Sequence, residues 1–330
     1  MSGKIDFVIT WVDGSDPAWQ KSRNSFLKTG DEDGPFLYRD WENLQYWFRG
    51  IEKYTPWVNK VHFVTCGHLP PWLNTRHPRL NIVKHEDFMP EKYLPTFNSH
   101  SIEINLHRIK GLEEQFVYFN DDTFIIDHMQ PQDFFKQGLP CASSITCNLS
   151  PRDPDDPFCH YLINDLAIIN RHFSKRNAQK KHFRKWFSPK YGKMLLRNLY
   201  FAPISGFFGF MTFHMPNSYL ISTFKEVWEK EYKTLDAAAA HKFRTISDVN
   251  QYVFSYWQFA AGNFYPRKTD CGRFFIAGEN DQELLASMSS PKCQMICIND
   301  SRAEIDFEAE KAMIKQQFNK LLPDRSAFEL

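Results

Sequence analysis

The sequence predicts an α/β fold: a mostly parallel sheet flanked by helices, with a more helical region inserted between residues ~150 and ~290. Three observations predict it. Short runs at Ile5–Trp11, Val61–Thr65, Leu80–Val83 and Met295–Ile298 read as strands, and the unbroken apolar run Phe116–Phe119 reads as a strand covered on both faces. Stretches with apolar residues at helical spacing alternate with them, the pattern of parallel strands joined by crossover helices. Two of the runs end in polar and acidic residues, Asn120-Asp121-Asp122 and Asn299-Asp300, at the strand ends where open α/β sheets bind ligands.

Taken in order, the first strand ends in Val12-Asp13-Gly14-Ser15-Asp16-Pro17, a turn by composition. Such a turn is a frequent nucleotide site, because its backbone N–H groups can meet phosphate. Neither GxGxxG nor GxxxxGK[ST] is present, so the dinucleotide and P-loop signatures are lacking. Residues 18–38 are polar and mixed, and read as a loop. Asp40 can cap a helix from about Trp41 to Tyr54, with Leu44, Trp47, Phe48 and Ile51 on one face and Pro56 as its stop. Thr96-Phe97-Asn98-Ser99-His100-Ser101 opens another helix, with Ile102, Leu106 and Ile109 aligned. It leads to the Phe116–Phe119 strand and its acidic end. Asn-Asp-Asp is ordinary turn chemistry. Paired oxygens there also suit a hard divalent cation, and the cation suits a diphosphate.

The Ser-, Pro- and Asp-rich segment 148–157 is the best boundary, dividing the chain into parts 1–147, 148–290 and 291–330. The 174–186 stretch is dense in Lys and Arg. It reads either as a solvated helix face or as a basic surface for an anionic acceptor or lipid headgroup, which would seat the chain peripherally on a membrane. Ser205–Pro216 is aromatic and glycine-rich and ends at His214, just before a helix expected from about Asn217 to Tyr232. A histidine there lies near N–H groups that favour phosphate. Arg244 precedes a helix that Ser247 can cap, with Asp248, Gln251 and Tyr252 in its early turns; it could clamp a phosphate or pair with Asp248. A helix from about Ala303 to Leu321 follows the last strand.

Composition excludes several classes. The 330 residues allow one large α/β domain with an insertion, or two modest ones. A net charge of +1 gives no footprint for nucleic acid. No apolar run is long enough to span a bilayer, and the start runs almost directly into a strand, unlike a signal peptide. Seven cysteines without a CxxC pair point to a reducing compartment and to small buried hydrophobes. Aromatic residues make up 16% of the chain, more than a groove needs, so most are expected in the core.

Four ordered stretches make the chain resemble the Stealth family of sugar-1-phosphate transferases. That family includes bacterial capsule polymerases and the catalytic subunit of the lysosomal N-acetylglucosamine-1-phosphotransferase. The first stretch runs from Ile5 to Pro17. The second runs from Arg39 through Leu94-Pro95-Thr96-Phe97-Asn98 to Asn120-Asp121-Asp122. The third comprises His214-Met215-Pro216 and His241–Trp257; the fourth begins at Ile298-Asn299-Asp300-Ser301 and closes on Phe328-Glu329-Leu330. Asp13 stands where the family often has Asn. The chain lacks the large inserts of the lysosomal enzyme, which favours a bacterial capsule or cell-surface glycan product and a cytoplasmic place, at the inner face of the membrane.

The resemblance implies a Rossmann-like sheet that binds a UDP-sugar, such as UDP-N-acetylglucosamine, together with Mg²⁺ or Mn²⁺. A hydroxyl of a glycan acceptor would attack the phosphorus attached to the donor sugar, releasing UMP and forming a sugar phosphodiester. It further implies catalytic roles for Asp121, Asp122, His214 and Arg244. Thr10, Trp11, Val12, Asp13, Gly14, Asn98, Asn120 and Asp248 would bind the donor, and Asp122, with Asn299 or Asp300, would ligate the metal. Asp121 and His214 are alternative bases, and Arg244 would bridge phosphate oxygens. Two other readings remain: a metal-dependent glycosyltransferase releasing UDP, and a glycan-binding protein without catalysis. The oligomeric state is left open.

Overall fold

The computed structural model describes residues 3–27, 38–151, 157–290, 292–301 and 305–330. Its strands are β1 (Ile5–Thr10), β2 (Val61–Thr65), β3 (Leu80–Lys84), β4 (Gln115–Phe119), β5 (Thr123–Ile125), β6 (Phe135–Lys136), β7 (Leu139–Ala142), β8 (Asn217–Leu220), β9 (Tyr265–Pro266), β10 (Gly272–Ile276) and β11 (Met295–Asn299). Among the described residues they form three sheets, in the orders β3-β2-β1-β4-β8, β10-β11-β5 and β6-β7-β9. In the largest, β1 to β4 are parallel and β8 is antiparallel to β4. The chain steps outward from β1 to β3 and then returns to β4 on the other side of β1. Connections therefore leave β1 and β4 in opposite directions, which opens a crevice at their carboxyl ends. The fold is α/β with a mostly parallel central sheet, as expected.

The central strands read as continuous apolar runs because both faces are covered. Val8, Val64, Phe116 and Tyr118 join one core cluster, and Phe7, Ile9, Phe63, Val117 and Phe119 join the other. The helix Leu44–Tyr54 covers the second face with Leu44, Trp47, Phe48 and Ile51, as its spacing predicts. Most of the aromatic content is spent in these two layers.

Several segments depart from expectation. The helix expected from about Trp41 under an Asp40 cap begins at Leu44, after Asn43. The helix expected to align Ile102, Leu106 and Ile109 ends at Glu103, and Leu106–Arg108 is a separate 3-10 turn. Residues 17–26, read as loop, form the helix Pro17–Phe26. Asp16 accepts from Trp19 N at 2.6 Å, and Pro17 occupies the first helical position, where its missing N–H costs nothing. Asp-Pro is therefore a helix start here and not a turn; the remainder of that segment, 28–37, lies outside the described residues. Asn217–Leu220, read as the first turn of a helix, is strand β8, which closes the exposed edge of β4; the helix begins at Ile221. His214 thus precedes an edge strand and not a helix N-terminus. The helix expected from Ser247 begins at Tyr252, and Asp248 lies in the loop before it. The C-terminal helix is described from Phe307 to Leu321, with Asp306 accepting from Ala309 N at 3.1 Å. Residues 152–156 of the 148–157 boundary lie outside the described residues. Among the described residues, none of the seven cysteines forms a disulfide. No helix among the described residues is long and apolar enough to cross a membrane.

One buried carboxylate locks the start of the sheet. Asp6 on β1 is fully buried; it meets His62 on β2 at 3.0 Å and accepts from Asn59 Nδ2, Lys60 N and Glu113 N. Burial pushes its pKa up, but these partners outweigh burial and hold it below the ordinary value. The stabilisation is therefore present above the unfolded carboxylate range and is lost as pH falls through the folded value. Asp6→Ala leaves a histidine and two backbone N–H groups without their acceptor. Urea unfolding at neutral pH should show a loss on the order of 3 kcal/mol; a midpoint equal to that of the unaltered chain would remove Asp6 from the list of structural anchors.

Candidate active site

The crevice at the ends of β1 and β4 opens into a cleft of about 1090 Å³. Its floor is the Asn120-Asp121-Asp122 turn. Thr123 closes that turn, donating from N (3.2 Å) and Oγ1 (2.8 Å) to the Asn120 carbonyl. The chain then leaves the large sheet as β5, which pairs with β11. Ile298 N donates to the Asp122 carbonyl at 2.9 Å, so the residues that follow, Asn299 and Asp300, return beside the acidic turn. A long separation in sequence is closed by one short antiparallel pairing.

Asp122 is the hub. Its Oδ2 lies 3.1 Å from His214 Nε2 and accepts from Cys297 Sγ at 3.3 Å. His214 Nε2 also lies 3.3 Å from Asn120 Nδ2. The backbone of His214 has φ 48°, a left-handed conformation that a non-glycine residue holds only under constraint from its surroundings. Burial works against protonation of His214, but the Asp122 carboxylate outweighs it and the pKa lies above the ordinary value. Asp121 is exposed at the floor of the cleft, yet enough protein surrounds it that desolvation, joined by the Asp122 charge, raises its pKa to about 7. Burial and the same charge push the Cys297 thiol far up, so it stays protonated and serves as a hydrogen-bond donor.

Two walls face this floor. On one, Asp300 meets Arg39 at 3.4 Å; burial raises the Asp300 pKa against the pull of that guanidinium. On the other, Arg244 is exposed and donates to Ser99 Oγ at 2.7 Å. The anticipated Arg244–Asp248 pair does not form. Asp248 is instead fully buried, between His241 at 2.6 Å, His100 at 3.2 Å and Asn98 Nδ2 at 2.9 Å.

Of the residues expected at the site, Trp11, Val12, Asn120, Asp121, Asp122, His214, Arg244, Asn299 and Asp300 line the cleft together. Thr10, Asp13, Gly14, Asn98 and Asp248 do not. Thr10 Oγ1 bonds Tyr118 OH at 3.0 Å beneath the floor. Asp13 turns back on Ser15, and its N donates to His68. Gly14 lets the Tyr38 backbone pass so close that a Cβ would lie 2.4 Å from it. Asn98 caps the helix Ser99–Glu103 and, with Asp248, supports the wall from behind. The cleft also holds residues that sequence reasoning passed over as site members, Arg39, His100 and Glu103, and Cys297 supports Asp122 from the buried strand behind it. His100 and Glu103 share the helix that Asn98 caps, and that cap was the available signal. Cys297 sits inside a buried strand and gives none.

Asp122, His214 and Cys297 bring potential metal-ligating atoms within 4.8 Å of one another. Cys297 Sγ is engaged as a donor to Asp122, so in this arrangement it supports the carboxylate. The orphaned atoms point to harder chemistry. Asp122 Oδ1 and Asp300 Oδ2 are buried without hydrogen-bond partners. Two unsatisfied carboxylate oxygens in one cleft fit an oxygen-preferring divalent cation.

Family profiles match two stretches: Stealth protein CR1, conserved region 1, over residues 3–31, and Stealth protein CR2, conserved region 2, over residues 37–141. The capsular polysaccharide phosphotransferase WcwK of Streptococcus pneumoniae is 41% identical over 330 residues, covering 99% of this chain and 98% of the relative. The receptor polysaccharide phosphotransferase WefC of Streptococcus oralis is 38% identical, covering 99% of each chain. The exopolysaccharide phosphotransferase cps2G of Lactiplantibacillus plantarum is 33% identical, covering 98% of this chain and 96% of the relative. Among solved structures, galactosyltransferase LgtC aligns over 98% of this chain and 96% of its own at 9% identity, with a TM-score of 0.40, too distant to bear on chemistry.

The donor set makes its own prediction. Titration with Mn²⁺, followed by calorimetry, should show no binding after Asp122→Ala. Cys297→Ala removes only a hydrogen bond to the ligand and should cost about tenfold; complete loss in Cys297→Ala would make the sulfur a ligand and the site a soft one.

Proposed function

This chain belongs to the Stealth protein family and is an enzyme of the polysaccharide phosphotransferase kind, and from that premise we propose that it transfers a hexose-1-phosphate from a UDP-sugar to a hydroxyl of a glycan acceptor. N-acetylhexosamine-1-phosphate is the donor group we favour, and capsule or cell-surface polysaccharide is the product class. The observation that carries the reading is the convergence of Asp121, Asp122, His214, Arg244 and Asp300 on one cleft at the sheet's reversal point. A histidine and an arginine flanking the acidic pair suit phosphoryl transfer, the one to move a proton and the other to hold phosphate oxygens.

In the proposed step the acceptor oxygen bonds to the phosphorus that carries the donor sugar. The bridging P–O bond to UMP breaks, and UMP takes the electron pair. The sugar C1–O bond stays intact. Asp122 and Asp300 would hold Mg²⁺ or Mn²⁺ with Asn299 beside them; the cation supplies charge neutralisation to the diphosphate. His214 takes the hydroxyl proton. Donation from its Nε2–H to Asp122 leaves Nδ1 as the proton acceptor, the arrangement by which a carboxylate fixes a histidine tautomer. Arg244, held at one edge by Ser99, offers its remaining N–H groups to the non-bridging oxygens. Trp11 and Val12 line the β1 end of the cleft, where the uridine would lie.

A nucleotide-release assay with UDP-N-acetylglucosamine, Mg²⁺ and a mixed glycan acceptor tests the bond that breaks. UMP dependent on both metal and acceptor is expected; UDP would replace the reading with anomeric transfer, and no release across a panel of UDP-hexoses would favour a binding protein. His214→Gln should lower kcat by ~10²-fold or more while donor still protects the enzyme against heat. If Asp121→Asn has that effect and His214→Gln does not, the proton goes to Asp121. Arg244→Lys keeps the charge but loses the planar fork, and turnover should fall about tenfold or further.

A further inference from the structure

The charge of this chain is balanced in total but not in distribution. Eleven of the 40 Lys and Arg, and none of the 39 Asp and Glu, fall between Asp165 and Glu226. Within that acid-free span lies a helix turned inside out, Leu195–Phe201. Its polar Asn198 is fully buried. Asn198 Nδ2 donates to the Ser144 carbonyl at 2.9 Å and the Trp186 carbonyl at 2.7 Å, and Oδ1 accepts from Thr146 N at 2.7 Å. Its apolar residues face water: Leu196 is 68% exposed, Leu199 50%, Tyr200 77%, and Ile204 just beyond is 48% exposed.

This presentation is built into the fold. Lys175 is 2% exposed, and its Nζ donates to the carbonyls of Phe201 (2.6 Å) and Ile204 (2.8 Å). A buried ammonium thus caps the helix and pins the turn after it, with the apolar side chains outward. Lys175 belongs to the basic 174–186 stretch and is not on its surface; the stretch is partly internal support. Exposed cations nearby in sequence are Lys180, Lys181, Lys190 and Lys193.

We propose that the Leu196–Ile204 apolar face and its flanking lysines form a docking surface for an anionic lipid bilayer. Exposed leucines and a tyrosine on one helix, with exposed Lys190 and Lys193 in the Pro189–Met194 turn that packs against it, match the chemistry of an interfacial anchor. Charge complementarity selects this occupant over a second copy of the chain. A two-fold contact through this helix would bring two copies of the same acid-free stretch together, setting its lysines against lysines. A hydrated polyanionic glycan would satisfy the lysines and leave the leucines in water. The inference does not depend on the reaction proposed above, and its readout is binding.

Co-sedimentation with vesicles tests it, comparing phosphatidylcholine alone with phosphatidylcholine containing phosphatidylglycerol. The protein should bind the anionic vesicles, release at high salt, and ignore the neutral ones. The triple variant Leu196→Ser, Leu199→Ser, Tyr200→Ser should bind about tenfold more weakly or worse, and so should Lys180→Glu with Lys181→Glu, which alters only exposed charge and safeguards against misfolding of the first. Unaltered melting temperatures will confirm that both are folded. Absence of binding by the parent protein, or equal binding by parent and both variants, overturns the proposal. So does self-association of the parent that the triple variant abolishes, since that makes the face a subunit interface.

Discussion

A single backbone hydrogen bond, Ile298 N to the Asp122 carbonyl at 2.9 Å, decides where the chemistry can be. It is the last rung of a ladder only three residues long in β5, and it joins the small sheet to the end of β4. Because β11 runs antiparallel to β5, Asn299 and Asp300, just beyond Ile298, come back alongside the Asn120–Asp122 turn. β8 brings the third contribution by the same logic. Asn217 pairs with Tyr118, so the residues just before Asn217 extend past the carboxyl end of β4, and His214 reaches Asp122. Two distant segments are thus registered against one strand end and its acidic turn. The register is fixed because β4 is buried on both faces, and a slip of one residue would turn its side chains over.

The electrostatics of the cleft follow from that convergence. Two adjacent carboxylates, a third on Asp300 and a protonated thiol are crowded where water is limited, and the groups respond by holding protons. Asp121 is raised to about 7, and Asp300 and Cys297 are raised as well, each chiefly by desolvation. Arg39 and His214 return part of the missing positive charge, one from each side. The balance is left short, with carboxylate oxygens of Asp122 and Asp300 unpartnered. Such a cluster would weaken the fold in isolation, and a cation bound there would offset that cost. That is the usual relation between a preorganised charged site and overall stability.

What could be read from the sequence followed burial. A strand covered on both faces is legible, because a short continuous apolar run bounded by turn residues is stable where water reaches neither face, and Phe116–Phe119 is such a strand; the four other anticipated runs are strands as well, β3 at a partly exposed edge. The acidic strand ends were legible for the same reason: a polar group after such a run must lie where the sheet opens. Local chemistry was read less well where one signal has two meanings. Asp16-Pro17 serves as turn or as helix cap, and the side chain of Asp16 chose the cap. Asn217–Leu220 has the composition of a helix start, but the open edge of β4 drew it into a sheet. No local pattern reports a strand edge that lacks a partner far away in the chain.

Asn98 and Asp248 carry the more general point. Both lie in motif stretches, and both were assigned to the donor, yet both are fully buried and bonded to each other across 150 residues. Through them the loop bearing Arg244 is tied to the helix bearing Ser99, His100 and Glu103. Asp248 also accepts from Thr245 N, the residue after Arg244, so the arginine is held at its own backbone. The motif therefore mixes two kinds of residue, those that face the cleft and those that keep the facing residues still. Resemblance to a family cannot separate them, since loss of either kind disables the site. Burial separates them at once. A side chain with no exposed surface and all its oxygens engaged has nothing left to offer a ligand, and its effect on chemistry must pass through Arg244 and His100.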